Sequence, residues 1–497
     1  MHPLARLDHR YVWHPFTQMR DWLRREPIMI VRGQGARLRD ARGHDYLDAN
    51  ASIWTNLHGH SHPRINAAIR RQLGKIAHSS ALGLGNEPAS LLAAKLVQLA
   101  APPTREPGMR HAARTALRKV FFSDDGSTAM EVALKLAYEF SRRTGRSSKP
   151  RFLALDAAYH GDTVGAVSLG HIDLFHKAYS GLLFKTDKVM APYCYRCRYN
   201  LARPERADAR DYRKCNWECL GVLERKFAAQ AKRGNPYAAF VFEPLMQGAA
   251  GMIPQPAGWL GRAAGIARAH GALLIADEVM TGFGRTSPRT GERPRKPIHL
   301  QKPGLARTLA LPLFACHHEG VQPDFMALAK GLTGGYLPMA ATLATQTVFD
   351  AFLGEYHDFK TFFHGHSFTA NQLGAAAGLA SLEILRSAAS IRARRRLAQT
   401  LREELNTLWR HPNVGDIRQV GLMAGIELVR DWRTREPFDL RERAGIRVCE
   451  TLVRLGVITR PVGNVIVLMP PFCTTPAEAR RMVAALHQAL AAFTGQA

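Results

Sequence analysis

The stretch FMALAKGLTGG, residues 325–335, combines an apolar strand pattern with one lysine and several glycines. The run from Phe325 to Ala329 predicts a short buried strand, and Lys330 follows at its carboxyl end. A lysine in this place is either a surface residue with a buried stem or a nucleophile in a poorly hydrated site. Which of the two applies to Lys330 depends on the residues that the fold places around it.

Four further apolar runs alternate with amphipathic helical patterns. They are KVFFS (119–123), FLALD (152–156), AAFVFEP (238–244) and ALLIADE (272–278). Such runs, separated by helices, predict an α/β fold with a mainly parallel sheet, in which ligands bind beyond the carboxyl ends of the strands. The five runs contain polar residues at or near their ends: Ser123, Asp156, Glu243, Asp277 and Lys330. We therefore expect these side chains to converge on one crevice.

The chain is predicted to form two domains. Residues 71–349 contain the strand and helix alternation and form the large domain, while residues 1–70 and 350–497 form a smaller α+β domain from both termini. In the smaller domain, residues 415–429 and 456–471 have the pattern of hairpin-forming strands. The large domain contains a cysteine segment, 194–219, and a basic Pro- and Arg-rich insertion, 287–311, which we expect to be a solvated loop.

Composition and charge restrict the classes of protein. Hydrophobic residues make up 46% and charged residues 22%, as in globular proteins. The chain has no apolar stretch of membrane-spanning length and no N-terminal signal-peptide pattern, so we expect a cytoplasmic protein without a membrane partner. The net charge of +27 suits a nucleic-acid or acidic partner. Because no nucleic-acid motif accompanies this charge, an arginine-rich surface is the simpler interpretation.

Four of the seven cysteines lie close together in the sequence, as Cys194, Cys197, Cys215 and Cys219. Their spacing, C-x2-C-x17-C-x3-C, resembles the paired thiolates that bind zinc or an iron–sulfur cluster. The alternative is a surface segment with four reduced thiols, because the second spacing is loose and the linker is long. The metal centre is therefore one of two hypotheses for this segment.

Two stretches have the residue types of a phosphate and ring-binding site. A helix is predicted to begin near Gly126, Ser127 and Thr128, where free N–H groups and hydroxyls suit a phosphate, although Ser and Thr are also common helix caps. Tyr159 and His160 follow a predicted strand in YHGDT (159–163). The Tyr159 ring suits stacking on a flat ligand; the alternative is a half-buried tyrosine with a hydrated hydroxyl.

Asp277 and Glu278 place two carboxylates at the end of a buried strand, where unpaired charge is costly. Their partners are a metal ion, the protonated nitrogen of a heteroaromatic cofactor, or, especially for Glu278, an arginine. Together with Lys330, a phosphate cradle and a stacking aromatic residue, Asp277 predicts a pyridoxal 5′-phosphate site. Desolvation favours the neutral amine of Lys330, which forms a Schiff base with the cofactor aldehyde.

Several motifs resemble the class III pyridoxal-phosphate aminotransferases. They are WHPFTQM (13–19), EPLMQGAAGM (243–252), ADEVMTGFGRT (276–286) and FFHGHSFTANQL (362–373). The resemblance runs from residue 13 to residue 472 and implies fold type I of the pyridoxal-phosphate-dependent transferases and a homodimer with shared active sites. Within the family, the chain is similar to the enzymes that convert 8-amino-7-oxononanoate to 7,8-diaminononanoate in biotin biosynthesis.

The resemblance also implies a role for each matching residue. Gly126 and Ser127 would hold the phosphate, Tyr159 and His160 would contact the cofactor, Asp277 would pair with its ring nitrogen, and Lys330 would bond to its aldehyde. His366 and Ser367 occupy the positions of a Pro-Thr pair that completes the phosphate site of the other subunit, and Gly365 would face the substrate. Trp54 would line the substrate channel, and Arg460 would bind a substrate carboxylate.

Three positions depart from the family pattern and affect the amino donor. Ile53 stands where a tryptophan is usual, Phe16 where a tyrosine is usual, and Val467 in place of a further pocket tyrosine. S-adenosylmethionine is the expected donor, and L-lysine is the alternative. The sequence also leaves open a class III enzyme acting on an ω-amine and, more remotely, a basic protein that binds metal or nucleic acid.

Overall fold

The computed structural model describes residues 1–101, 116–287 and 311–495. Most of the predicted basic insertion, residues 288–310, lies outside the described residues, so its expected character stays a prediction. Ser287, at the first position of the insertion, is buried, as are Arg285 and Thr286 before it. The expectation of a solvated loop is therefore wrong for Ser287, because its hydroxyl donates to the Pro312 carbonyl at 2.7 Å.

The strands lie along the whole chain. In order they are β1 Ile30–Gln34, β2 Arg37–Asp40, β3 Asp45–Asp48, β4 Leu117–Ser123, β5 Arg151–Leu155, β6 Asp187–Val189, β7 Tyr237–Phe242, β8 Met246–Gln247, β9 Ile253–Pro254, β10 Leu273–Asp277, β11 Phe325–Leu328, β12 Ala340–Thr345, β13 Val414–Val420, β14 Met423–Asp431, β15 Glu436–Pro437, β16 Val457–Ile458, β17 Pro461–Val462 and β18 Val465–Leu468.

The α-helices lie between these strands and at both ends of the chain. They are α1 Pro3–Tyr11, α2 Met19–Leu23, α3 Pro63–Leu73, α4 Glu87–Ala100, α5 Gly126–Arg143, α6 Val164–Leu169, α7 Asp173–His176, α8 Ala209–Tyr212, α9 Glu218–Lys232, α10 Trp259–Ala269, α11 Gln346–Asp350, α12 Gln372–Arg386, α13 Ala388–Asn406, α14 Ala444–Arg454 and α15 Pro476–Thr494. Short 3-10 turns include Cys194–Arg196, Ala315–Glu319 and Lys330–Thr333.

The central sheet has seven strands in the order β4-β12-β11-β10-β7-β5-β6. The pairs β11–β10, β10–β7, β7–β5 and β5–β6 are parallel, which confirms the predicted α/β fold with a mainly parallel sheet. The five predicted strands are all present. Strand β12 was not predicted from the sequence; it pairs antiparallel with both β11 and β4.

Helix α5 covers one face of this sheet with the apolar positions that its sequence period predicts. Ala129, Ala133, Leu136 and Phe140 are buried against strands that include β7, β10 and β11. Because the residues of β7, β10 and β11 are buried throughout, the sheet packs on both faces. The carboxyl ends of the parallel strands are therefore left as the open edge at which a ligand binds.

The N- and C-terminal parts of the chain share one sheet, in the order β1-β2-β3-β16. β16 pairs in parallel with β3, and Val457 lies opposite Leu47. The predicted hairpin at 415–429 is present as β13 and β14, whereas in 456–471 only β17 and β18 pair as a hairpin. The division into domains at residues 70 and 350 stays a prediction.

In the described ranges, 1–101, 116–287 and 311–495, no helix has the length and apolar character needed to cross a membrane.

Candidate active site

Strand pairing brings three of the predicted polar residues to one edge of the sheet. Phe242 of β7 lies opposite Ala276 of β10, so Glu243 and Asp277 are the next residues on neighbouring strands. Asp277 in turn lies opposite Ala327 of β11, three residues before Lys330. The pairing thus places two carboxylates and one amine at the same edge.

The other two predicted strand-end residues differ in their surroundings. Ser123 is buried at the end of β4, and its hydroxyl has no hydrogen-bond partner among the described residues. Asp156, after β5, is instead exposed to solvent. Glu243, Asp277 and Lys330 therefore lie together at one edge of the sheet, as predicted, while Asp156 is exposed to solvent.

Lys330 lies directly after β11 in a left-handed backbone conformation, with φ of 43°. Its Nζ lies 4.9 Å from the centre of the Trp54 ring, and in the described part of the chain the amine has no hydrogen-bond or ion-pair partner. Burial lowers the pKa of the Lys330 amine, although the carboxylates of Asp277 and Glu243 oppose this shift. An amine biased toward its neutral form is suited to act as a nucleophile.

Asp277 is buried, and both of its carboxylate oxygens have partners. Oδ2 lies 2.7 Å from Nδ1 of His160, and Oδ1 accepts a hydrogen bond from the Val279 N–H at 3.0 Å. His160 is also buried, and its Nε2 has no partner among the described residues. The two residues form a fixed polar pair at the end of β10, a pairing that was not predicted from the sequence.

Glu243 is a site residue to which the sequence patterns gave no role. Its carboxylate accepts from the Tyr159 N–H at 3.1 Å and the Gly248 N–H at 2.8 Å. Burial raises the pKa of Glu243 to about 7, and the nearby Asp277 carboxylate adds to this shift, while His160 opposes it. The signal available in the sequence was its position at the end of a buried strand.

Glu278 is fully buried and has no arginine partner among the described residues, so the structure does not support the alternative of a salt bridge there. Its carboxylate accepts hydrogen bonds from the N–H groups of Ala315 and Cys316 at 2.9 and 2.8 Å and from the Thr281 hydroxyl at 2.7 Å. Burial raises the pKa of Glu278 to about 6. Its role is therefore to attach the chain after the insertion to β10.

The start of α5 has a capping box that involves Asp125 and Thr128. Asp125 accepts from the Thr128 N–H at 2.9 Å, and Thr128 Oγ1 accepts from the Asp125 N–H at 2.9 Å. Asp125 is therefore the N-cap of the helix, and Thr128 completes its capping box. Ser127 Oγ accepts from the Asp162 N–H at 3.1 Å, which holds the loop after β5 against the helix N-terminus.

Gly126 permits a close approach between α5 and the chain after β10. A Cβ atom at this position would lie 2.7 Å from Cγ1 of Val279, closer than van der Waals contact permits. The glycine therefore lets the free N–H groups of the helix start lie beside Asp277 and Val279.

Tyr159 is half-buried at the same edge of the sheet. Its ring stacks on His176 with an interplanar angle of 12°, and its hydroxyl donates to Asp162 Oδ2 at 2.7 Å. Burial raises the pKa of the Tyr159 hydroxyl, and the hydrogen bond to Asp162 raises it further. The ring has a fixed orientation, as stacking on a ligand requires.

Ile53 and Trp54 lie in an unusual turn over Ala51–Trp54, in which every residue has positive φ. Left-handed backbone costs about 1–2 kcal/mol per residue with a side chain, and such strain is concentrated at functional sites. The Trp54 indole N–H donates to Asn50 Oδ1 at 2.8 Å, which fixes the ring beside Lys330. Ile53 is 45% exposed, and Phe16 is 61% exposed with an edge contact to Phe175.

The remaining predicted residues differ from Lys330 in burial and in contacts. His366 Nδ1 is 3.2 Å from Asp124 Oδ2 near the start of α5, while Gly365 and Ser367 are exposed. Arg460 is exposed, and its guanidinium has no hydrogen-bond or ion-pair partner in the described part of the chain. Val467 is buried in β18 at 1% exposure.

The four clustered cysteines line one small cavity together with Pro192, Asn200 and Arg213. In residues 1–101, 116–287 and 311–495, no group of three or more His, Cys, Asp or Glu side chains is placed to hold a metal ion. Arg213 Nη1 instead donates to Cys215 Sγ at 3.0 Å, where it puts a positive charge beside this sulfur. The structure therefore does not support the predicted zinc or iron–sulfur centre at Cys194, Cys197, Cys215 and Cys219.

Comparison with known proteins identifies the family. Residues 19–289 and 302–490 match the family model described as aminotransferase class III. The chain belongs to the class III aminotransferases. This membership confirms the family resemblance of the sequence motifs.

Individual class III proteins resemble the chain along nearly its whole length. An adenosylmethionine-8-amino-7-oxononanoate aminotransferase of Geobacter sulfurreducens is 45% identical over 98% of this chain and 97% of the relative. One of Nitratidesulfovibrio vulgaris is 46% identical over 99% of this chain and 82% of the relative.

Two solved structures extend this similarity to the fold. The crystal structure of the enzyme of the same name from Methanocaldococcus jannaschii is 37% identical and aligns with a TM-score of 0.83 over 98% of both chains. The ω-transaminase of Pseudomonas jessenii in complex with PMP is 27% identical, with a TM-score of 0.84 over 99% of both chains. The chain therefore has the fold of the class III transaminases, fold type I, as predicted.

The residues of this class III site fit pyridoxal 5′-phosphate. Lys330 offers an amine without a partner among the described residues, Ser127 lies at a helix N-terminus with free N–H groups, and Asp277 presents a buried carboxylate. Ser123 Oγ and His160 Nε2 are buried polar atoms that also lack partners in the described ranges, as expected at a ligand site. The residue types and their burial thus suit the aldehyde, the phosphate and the ring nitrogen of this cofactor.

Proposed function

We propose that the protein transfers an amino group from S-adenosylmethionine to 8-amino-7-oxononanoate, which gives 7,8-diaminononanoate in biotin biosynthesis. The observation that carries the chemistry is the Lys330 amine, which has no hydrogen-bond or ion-pair partner within the described part of the chain and lies 4.9 Å from the Trp54 ring centre. The identity of 45–46% to two proteins of that name supports the choice of substrates.

Lys330 is proposed to bond to the cofactor and then to move the proton of the reaction. Pyridoxal 5′-phosphate, when bound, supplies an aldehyde that exchanges amines and a ring that stabilises negative charge on the neighbouring carbon. Because burial lowers the pKa of Lys330, its amine gives up a proton more readily than an exposed lysine, which suits it to take up and return the proton of the reaction. Ser127 and the first N–H groups of α5 are proposed to hold the phosphate.

Asp277 and His160 are proposed to act as one unit. The Asp277 carboxylate would hold a proton on the ring nitrogen, and the contact with His160 Nδ1 at 2.7 Å fixes the orientation of that carboxylate. Glu243 holds the Tyr159 and Gly248 backbone in place, since it accepts from both N–H groups. Tyr159 is proposed to lie against the cofactor and substrate.

Substrate recognition is proposed to involve Arg460, Trp54, Ile53, Phe16 and Gly365. The exposed guanidinium of Arg460 can bind a carboxylate through two parallel hydrogen bonds. Phe16 and Ile53 present only apolar surface where a hydroxyl and an indole are usual in the family. This difference makes L-lysine a second candidate donor.

A cytoplasmic homodimer with shared active sites is also part of the proposal. Leu82, Phe363 and Phe368 are 91%, 78% and 61% exposed, and their segments meet where His78 Nε2 donates to the Ser367 carbonyl at 3.0 Å. Large apolar side chains exposed in neighbouring segments are typical of a surface that another subunit covers. His366 and Ser367 lie in this region, so they are proposed to complete the partner's phosphate site.

The test offers the purified protein pyridoxal phosphate and 8-amino-7-oxononanoate with one donor at a time. S-adenosylmethionine, L-lysine and an ω-amine such as putrescine are compared, and diaminononanoate is detected by mass spectrometry. Product with S-adenosylmethionine is expected. Product with L-lysine alone would assign that compound as the donor. Conversion of the bound cofactor to pyridoxamine phosphate by putrescine, with no diaminononanoate from any donor, would contradict the proposed substrate.

A further inference from the structure

Two of the cysteines that line the cavity of the cysteine segment lie at the two ends of one turn. Cys194 begins the 3-10 turn Cys194–Arg196, and Cys197 follows it directly. In a 3-10 turn, side chains three residues apart project in the same direction, and a rise of about 2.0 Å per residue separates their Cα atoms by about 6 Å. This separation lies within the range of roughly 4.4–6.8 Å that a disulfide requires.

Hydrogen bonds hold this turn against the rest of the cavity. The Asn200 side chain donates to the Cys194 carbonyl at 2.9 Å, and its amide oxygen accepts from the Lys214 N–H at 2.9 Å, next to Cys215. The Asn200 N–H donates to the Cys197 carbonyl at 3.0 Å. The two cysteine pairs are therefore fixed to one another through Asn200.

The sulfurs differ in access and in charge. Cys194 is buried at 7% exposure, whereas Cys197 and Cys215 are half-buried and reach solvent. Arg213 places its guanidinium 3.0 Å from Cys215 Sγ in the same cavity. This cationic contact is to Cys215, whereas Cys194 and Cys197 form a Cys-X-X-Cys pair with one partly exposed member, the arrangement in which thiols exchange with disulfides.

We propose that this cavity is a thiol–disulfide exchange site, in which Cys197 and Cys194 form a reversible disulfide by reaction with a low-molecular-weight disulfide. The Cys197 thiolate attacks one sulfur of the small disulfide, and the other sulfur leaves as a thiolate. Cys194 then loses its proton and attacks Cys197 Sγ, which releases the second small thiolate. The protein pair loses two electrons and two protons, and the small disulfide becomes two thiols.

The experiment uses the full chain loaded with pyridoxal phosphate and treated with oxidised glutathione, followed by alkylation of free thiols. Trypsin cleaves after Arg196, between the two cysteines, so a Cys194–Cys197 disulfide joins two peptides that otherwise separate. We expect this linked pair, a chain mass lower by two hydrogens, and full reversal with dithiothreitol. Cys197 should react at least about tenfold faster than exposed Cys473, which reports non-specific reactivity.

Variants separate the two steps. In Cys194→Ser, the reaction should stop with one glutathione on Cys197, and in Cys197→Ser no disulfide should form. Cys215→Ser and Cys473→Ser are matched controls that should keep the linked pair. A disulfide that includes Cys215, or reaction at Cys473 without the linked pair, would overturn the proposal. A stoichiometric zinc or iron ion in the untreated protein that is lost in Cys215→Ser would overturn it as well.

Discussion

Replacing Asp277 with asparagine removes one charge and leaves the shape of the side chain almost unchanged. Asparagine keeps an oxygen for the Val279 N–H, but its NH₂ group cannot accept from His160, whose Nδ1 lies 2.7 Å from Asp277 Oδ2. The residue is buried at 5% exposure, so water cannot replace the lost charge. The protonated ring nitrogen of the cofactor would then have no counter-charge.

The expected loss can be given as a free energy. Leaving one partner of a buried charged pair alone costs about 3–5 kcal/mol, which corresponds to a rate lower by a factor of about 150 to 5,000. The assay is a single-turnover measurement of amino transfer from the donor, on protein whose cofactor content has been measured. Asp156→Asn is the matched control, because it makes the same change at an exposed strand end.

A rate close to that of wild type would refute this role of Asp277. If Asp277→Asn binds cofactor, melts at the wild-type temperature and transfers the amino group within about threefold of the wild-type rate, less than about 1 kcal/mol is involved. Asp277 would then not be the counter-charge of the ring. Equal losses in Asp277→Asn and Asp156→Asn would point to a general effect on the fold instead.

Three further predictions concern single residues. Gly126→Ala puts a methyl group 2.7 Å from Val279 Cγ1 and should lower the free energy of unfolding of the cofactor-loaded protein by about 1–3 kcal/mol. The double variant Gly126→Ala with Val279→Ala should recover most of this stability. No recovery would exclude this clash as the cause. Arg460→Gln should raise the KM for the keto substrate by about 10- to 150-fold, because a hydrogen-bonded charge on the substrate carboxylate is lost. The melting temperature should not change, because the exposed guanidinium has no hydrogen-bond or ion-pair partner among the described residues. An unchanged KM would exclude Arg460 from the substrate site. Glu243 has a folded pKa of about 7, above the unfolded 4.5, so it binds its proton more tightly when folded and wild type loses stability from about pH 4.5 to 7. The melting temperature of cofactor-free wild type relative to Glu243→Gln should therefore fall between about pH 4.5 and pH 7, and a parallel pH dependence would argue against a raised pKa.

The parts of the fold that the sequence predicts well are those with strong local patterns. The runs before Ser123, Asp277 and Lys330 are short, strongly apolar and separated by helical patterns, so each is recognised as a strand of the central sheet. β12, with the sequence AATLAT, consists of small residues and gives a weak strand pattern. Its position depends on pairing with β4 and β11, which local sequence does not encode.

The contacts of the site depend on register and on distant chain segments. Glu243 follows Phe242, and Asp277 follows Ala276, so the pairing of Phe242 with Ala276 places the two carboxylates on neighbouring strands. This register is set by the whole sheet and not by the local sequence. An arginine was one of the alternative partners considered for Glu278, but two N–H groups from beyond the insertion hydrogen-bond to its carboxylate instead. Residue types at strand ends thus predict that a site exists, while the pairs within it need the structure.

The cysteine segment illustrates a limit of spacing patterns. C-x2-C and C-x3-C pairs occur in metal sites and also in redox sites, and spacing alone does not distinguish them. The contact of Arg213 with Cys215 and the common cavity are tertiary features. Neither feature can be predicted from the spacing of the cysteines in residues 194–219.

The most direct test of the proposed chemistry is to identify the lysine that carries the cofactor. The protein loaded with pyridoxal phosphate is reduced with borohydride, which fixes the bond between the cofactor and its lysine, and the digested peptides are analysed by mass spectrometry. We predict the phosphopyridoxyl group on Lys330. Lys188 is the internal competitor, since burial lowers the pKa of its amine to about 8. Cofactor on Lys188 with Lys330 unmodified, or no fixed cofactor in a protein that transfers amino groups, would contradict the role proposed for Lys330.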